Sequence, residues 1–199
     1  MELKSYCLVT DLQPQYAAFI AATGAARSSI PAPGDSVLTI DFGGSLAVEG
    51  LLDKLLKDSS LAAISGLAIE RQGSAFEFSG PSTADIELVA KTALRLAGVS
   101  PLASAETKQG SAIGATQLIK DVAPLQATLI NRSRRGTMVA AGDAVLIFEC
   151  ETAYLTGKLF NDIEKSFPEL ALIDIDDRGG RIILTAQVDI LKKVQKYCA

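Results

Sequence analysis

Leu8-Val9-Thr10-Asp11-Leu12-Gln13-Pro14-Gln15-Tyr16-Ala17 returns later in the chain as Leu118-Ile119-Lys120-Asp121-Val122-Ala123-Pro124-Leu125-Gln126-Ala127. Leu8, Asp11, Pro14 and Ala17 keep a constant offset, 118 − 8 = 110. Farther on, Gly34-Asp35 and Val37-Leu38 return as Gly142-Asp143 and Val145-Leu146, an offset of 142 − 34 = 108. The pairs Lys57/Lys165, Leu52/Phe160 and Leu55/Ile163 hold that spacing, while Ile69/Ile175, Gly73/Gly179, Phe76/Ile182 and Phe78/Leu184 match at 106. The offset falls in small steps at loops, as insertions and deletions do in a duplicated unit. The chain therefore reads as one unit written twice: residues 1–100, a Gly/Ser/Pro/Thr-containing linker over 101–111, and residues 112–199.

Each copy alternates strand and helix patterns. In the first, residues 3–10 are rich in strand formers, and Pro14 suits the first turn of a helix to about Thr23. Gly24, Pro31, Pro33 and Gly34 mark a loop. Val37 to Phe42 alternates as a strand, and Ser45 can cap a helix through Lys57 with Leu46, Leu51, Leu52, Leu55 and Leu56 on one face. Residues 62–70 and 75–79 read as hairpin strands around Arg71-Gln72-Gly73-Ser74. Ser82 with Asp85 resembles a capping box and opens a helix to Ala97. The second copy repeats the order: strand 112–120, helix 124–132, strand 143–150, helix 152–166, strands 170–176 and 181–186, helix 187–198. Strands and helices intermixed in this way predict two α/β (α+β) sandwiches, each with helices packed on one sheet.

Composition narrows the function. The chain has 199 residues, 48% of them hydrophobic and 21% charged, enough apolar material for packed cores and too much for disorder. Net charge is −4, against a phosphate-backbone binder, and no tryptophan and only four tyrosines supply a base-stacking platform. There is no histidine, which removes histidine triads, histidine bases and most zinc or non-haem iron sites. Cys7, Cys150 and Cys198 are sparse and odd in number, as expected of free thiols in a reducing compartment. No signal peptide pattern or ~20-residue apolar run is visible, so a cytosolic protein is expected, in which the sequon Asn131-Arg132-Ser133 is chance.

Several stretches read together carry a resemblance. They are Met1-Glu2-Leu3 through Leu12-Gln13, Pro33-Gly34-Asp35, Ile69-Glu70-Arg71, Leu129-Ile130-Asn131-Arg132-x-Arg134-x-Gly136, Ala141-Gly142-Asp143 and Phe148-Glu149-Cys150. The sequence resembles the tandem-domain shell proteins of bacterial microcompartments, of the circularly permuted, gated-pore kind first associated with carboxysomes. The resemblance implies two fused, permuted, ferredoxin-like shell domains per chain. It implies three chains forming a flat pseudohexamer with a central pore, and stacking of two trimers face to face. It further implies a place in a microcompartment shell in the bacterial cytoplasm, other shell proteins as partners and small anionic metabolites in the pore. No cofactor, nucleic acid or membrane is expected.

The residues at issue each admit a plainer reading. Glu70 and Arg71, with Gln72 and Gly73, are either a solvated hairpin tip or, as the resemblance implies, a pore gate. An exposed Glu–Arg pair contributes only about 0.2–1 kcal/mol, so three would hold a reversible closure. At the matching offset the second copy has Asp176 and Asp177, then Arg178. Asn131, Arg132, Arg134 and Arg135 are either favourable charge at a helix C-terminus or an anion or stacking contact between subunits. Gly43-Gly44 lacks the Lys-Ser/Thr of a phosphate loop and reads as a turn. Asp174, Asp176 and Asp177 on a strand and turn fall on different faces, against a metal site.

Two functional classes remain: a non-enzymatic shell subunit, or a trimeric cytosolic ligand-binding regulatory protein with duplicated ferredoxin-like domains. An enzyme is disfavoured, because the chain has no histidine and no convincing carboxylate pair.

Overall fold

In the computed structural model the described residues are 3, 5–23, 30–42, 45–72, 75–99, 113–150, 155–176 and 179–198. The expected linker 101–111 lies outside them, as do Gly43 and Gly44. By their contacts the described residues form two units, one within Met1–Ala17 and Gly24–Gln109, the other within Ala18–Thr23 and Gly110–Ala199.

The first half runs β1 (Ser5–Val9), α1 (Pro14–Thr23), β2 (Ser36–Asp41), α2 (Ser45–Leu56), α3 (Ser59–Ala62), β3 (Ala68–Gln72), β4 (Ala75–Gly80) and α4 (Thr83–Ala97). The second runs β5 (Ile113–Ile119), α5 (Pro124–Ser133), β6 (Val145–Cys150), α6 (Thr156–Ser166), β7 (Ala171–Asp176), β8 (Arg181–Thr185) and α7 (Val188–Tyr197). The two four-stranded sheets have the same order, β1-β2-β4-β3 and β5-β6-β8-β7, and every pairing is antiparallel. The expected mixed α/β architecture of two like units is thus observed.

The duplication extends to single hydrogen bonds. In the first unit the Leu12 N–H donates to the Asp35 carbonyl at 2.9 Å and the Gly34 N–H to the Leu12 carbonyl at 2.8 Å. Val122, Asp143 and Gly142 repeat this at 3.0 and 3.0 Å. Asp35 and Asp143 each accept from the residue three back, the Ala32 N–H at 2.9 Å and the Ala140 N–H at 2.7 Å. Gly34 and Gly142 sit at φ +91° and +92°. That left-handed backbone disfavours any residue with a Cβ, which is why both copies carry Gly-Asp there.

Helix ends follow their sequence signals. Proline opens both α1 and α5, where its missing N–H has no helical partner to lose. Ser82 caps α4, its hydroxyl accepting from the Asp85 N–H at 3.2 Å, and Gly98 closes it at φ +71°. The stripe Ile86, Val89, Ala90, Ala93 and Leu94 turns α4 onto Leu38, Ile40, Phe76 and Phe78 of the sheet, with Val48, Leu51 and Leu55 of α2 beside it. In the second unit α6 and α7 cover one face of the sheet. On the other, Ala127 of α5 and Val139 pack with Val145, Ile173 and Ile183.

One expectation is corrected. Residues 62–70 are not a continuous strand, because Ser59–Ala62 form the short helix α3 and β3 begins only at Ala68. Asp58 starts α3, its carboxylate accepting from the Ser60 N–H at 3.0 Å while pairing with Arg95 at 2.8 Å. A local cap thus overrode the apolar run that followed it. Gly50, mid-helix in α2, is exposed, and a Cβ added there would meet nothing within 4 Å. Gly50→Ala is therefore expected to stabilise the protein by about 0.5–1 kcal/mol, read as a higher denaturation midpoint.

Candidate functional site

The Glu-Arg turn of the first unit is mostly strand. Glu70 lies opposite Glu77, Arg71 opposite Phe76 and Gln72 opposite Ala75. Gly73 and Ser74, and the side chains of Arg71 and Gln72, lie outside the described residues. Glu70 is half-buried, and strand alternation puts it with Glu77 on the face opposite Phe76 and Phe78.

The second hairpin is built differently. Asp174 lies opposite Ile183, Ile175 opposite Ile182 and Asp176 opposite Arg181. The ladder slips at Ile173, between Leu172 and Asp174. Aligned by register, Asp176 is the counterpart of Gln72, and Asp174 that of Glu70. The sequence offset of 106, which set Asp176 and Asp177 against Glu70 and Arg71, is corrected by this ladder; Asp177 and Arg178 lie outside the described residues. Asp176 accepts from the Gly179 N–H at 2.9 Å.

The arginine stretch forms a fitted loop rather than a plain helix end. Asn131, on the last turn of α5, donates its amide N–H to the Val139 carbonyl at 2.7 Å and accepts the Val139 N–H at 2.9 Å. The intervening backbone lies along β7: the Gly136 N–H reaches the Ile173 carbonyl at 2.8 Å and the Thr137 N–H the Leu172 carbonyl at 2.7 Å. A Cβ on Gly136 would collide with the Leu172 carbonyl oxygen and stand 3.1 Å from that of Ile173. Arg135 donates from Nε to Asp174 Oδ1 at 3.1 Å and from Nη2 to the Ile175 carbonyl at 2.8 Å, with its guanidinium 5.1 Å over the Phe19 ring. Arg134 donates to the Gly136 carbonyl at 3.0 Å, and Arg132 is exposed.

Of the expected residues, the structure thus gathers Asn131, Arg134 and Arg135 at β7, and places Glu70 on the other hairpin. Two residues already quoted from the sequence, Gly136 and Asp174, and one that the sequence does not single out, Phe19, join the arginine loop. Gly136 permits its close approach, Asp174 anchors Arg135, and Phe19 comes from the far end of α1. A lone acidic residue within the apolar run Leu172-Ile173-Asp174-Ile175 is the signal that could have pointed to a buried ion pair.

None of Cys7, Cys150 and Cys198 is in a disulfide. Burial pushes the Cys150 and Cys198 thiols up to about 11, and at Cys198 the nearby Cys150 adds to it. At neutral pH both are protonated and unreactive. Among the described residues no cluster of three Cys, Asp or Glu could hold a metal, and no helix is long and apolar enough to cross a membrane.

Comparison with known proteins places this architecture. The family model of the CsoS1D N-terminal domain matches residues 3–102, which are 100 of the 199. The chain belongs to the CsoS1D N-terminal domain family. Relatives match across most of the chain, beyond that domain. The carboxysome shell protein CsoS1D of Hydrogenovibrio crunogenus is 29% identical over 188 residues, 92% of this chain and 87% of its own. That of Prochlorococcus marinus is 28% identical over 190 residues, 94% and 71% of the two chains. The carboxysome shell protein CcmP of Synechococcus elongatus is 27% identical over 175 residues, 88% and 77%. Two solved structures share the fold of this CsoS1D-family chain. The double-ringed trimeric shell protein MSM0271 of the RMM microcompartment has TM-score 0.76 at 23% identity, covering 99% of this chain and 93% of that one. The fused permuted hexameric shell protein MSM0275 has TM-score 0.78 at 24% identity, covering 100% and 95%. The expected tandem, permuted shell-domain fold is therefore the fold of this chain.

Proposed function

We propose that this chain is a structural, non-enzymatic subunit of a bacterial microcompartment shell in the cytoplasm. Three copies close a pseudohexamer that tiles with other shell proteins. Residues 1–100 and 112–199 are its two shell domains, joined by 101–111. The observation that carries this reading is relatedness to carboxysome shell proteins over nearly the whole chain, with both copies of the unit intact. Two trimers stack face to face, an arrangement supported by the likeness to a double-ringed trimer. Electron microscopy of purified protein is the test: extended layers with hexagonal spacing are expected, and discrete particles that respond to a small ligand would favour a regulatory protein instead.

Within the ring, Glu70, Arg71, Gln72 and Gly73 line and gate the pore, which passes small anionic metabolites. The backbone register supports the reading, because Glu70 and Arg71 lie at the end of β3 that leads out of the paired strands. Asn131, Arg132 and Arg134 supply the anion or stacking contact; Asn131 keeps a second amide N–H beyond its two bonds to Val139, and Arg132 is exposed. Replacing Glu70 and Arg71 together by alanine is expected to change unfolding free energy by no more than about 1 kcal/mol, since charges near a strand end contribute little stability. Structures of assembled double variant should show an open pore in every ring. A variant that remains occluded, or wild-type rings with both residues far from the axis, would end the gating reading.

A further inference from the structure

We propose that Leu125 and Leu129 of α5 form the subunit contact of the ring, seated on the first unit of a second copy of this chain. The inference rests on the trimeric reading for its ring size, and on this structure for its residues. Helices α1 and α5 are equivalent position by position. Val9 and Ile119 occupy the same ladder position, paired with Val37 and Val145. The Ala17 and Ala127 N–H groups close the same first turn, each at 2.9 Å. Phe19 therefore corresponds to Leu129, Ile20 to Ile130 and Gln15 to Leu125.

Their surroundings differ sharply. Residues 18–23 of α1 group by contact with the second unit, where Phe19 is 7% and Ile20 4% exposed and Phe19 lies under Arg135. Leu129 is 52% exposed and Leu125 72%, two leucines one turn apart on one helix face. The same position in α1 carries Gln15, so α5 exposes a large apolar residue where α1 has a polar one.

The duplication says what covers it. The second unit provides the surface that takes Phe19, built on β7 with Asp174 holding Arg135. The first unit has the same sheet order, and β3 is the counterpart of β7. Its own α5-type partner can come only from another chain, since each chain has one α5. Such a contact joins unlike surfaces head to tail, and it repeats until the rotation closes a ring.

The test is the solution mass of the full chain, measured for wild type and for Leu125→Gln/Leu129→Gln, which restores the polar residue that α1 carries. Wild type is expected at a multiple of three times 20.9 kDa. The double variant should need at least ~100-fold higher concentration for half-assembly, as lost burial of two leucines dictates, with an unchanged circular dichroism spectrum. Leu125→Gln alone, at the more exposed site, should shift assembly in the same direction, and Leu129→Phe, which copies α1, should keep the ring. A variant that assembles like a trimeric wild type overturns this contact and leaves the shell reading standing. A monomeric wild type overturns both.

Discussion

Alanine at position 136 is expected to lower unfolding free energy by about 1–3 kcal/mol, toward the upper end of that range. The atoms that a Cβ would strike are the backbone carbonyl oxygens of Leu172 and Ile173, which belong to a strand and cannot rotate aside as a side chain would. Relief requires residues 135–137 to lift from β7, which breaks the Gly136 and Thr137 hydrogen bonds and loosens Arg135 from Asp174. Gly142→Ala is the comparison. Its Cβ meets nothing within 4 Å, so only the cost of a left-handed backbone applies, about 1 kcal/mol. Denaturant titration should rank the 136 variant below the 142 variant, and hydrogen exchange should place the loss in 135–137 and β7. Equal midpoints would show that the loop does not sit as described.

Phe76→Ala should cost more, about 3–5 kcal/mol, because a fully buried ring leaves a cavity that neighbouring strands cannot fill. Phe76 packs against Phe42 and Phe78, with ring centroids 6.5 and 5.8 Å away. It also stands opposite Arg71, so the hole opens beneath the proposed gate strand. Increased exchange in β3 and β4 should accompany the lower stability. A loss below about 1 kcal/mol would mean that the core repacks around the missing ring.

Much of this is legible without coordinates, because a duplicated pattern is its own control. Proline before an apolar helix and Gly-Asp before a strand each occur twice, and the structure repeats them bond for bond. What escapes is non-local. Helix α3 depends on Asp58 accepting from the Ser60 N–H and hydroxyl, a local cap that a window over Leu61 to Glu70 averages away. The match of Glu70 with Asp176 fails because one strand residue slips at Ile173 and more residues separate the second pair of strands, changes that partly cancel in a residue count. Asp174 reads in the sequence only as a metal ligand to be weighed, since its partner Arg135 is 39 residues away. The stretch Asn131 to Gly136 stands out as charge, whereas its specific content is shape. Asparagine pins the loop and glycine lets it approach, leaving arginine to fill the groove.

The course of that loop bears on how such a protein can gather at all. Strand β7 is the outermost of its sheet, and the backbone N–H groups of Gly136 and Thr137 take up carbonyls on its open side. A bare strand margin is a template on which any extended peptide can add, and crowding many copies into a layer would make such additions frequent. With this margin occupied by the chain's own backbone, neighbours are steered to join through side chains on helices, contacts that can part again and be remade in register. Fibre growth by strand addition is blocked at β7 before any two molecules meet.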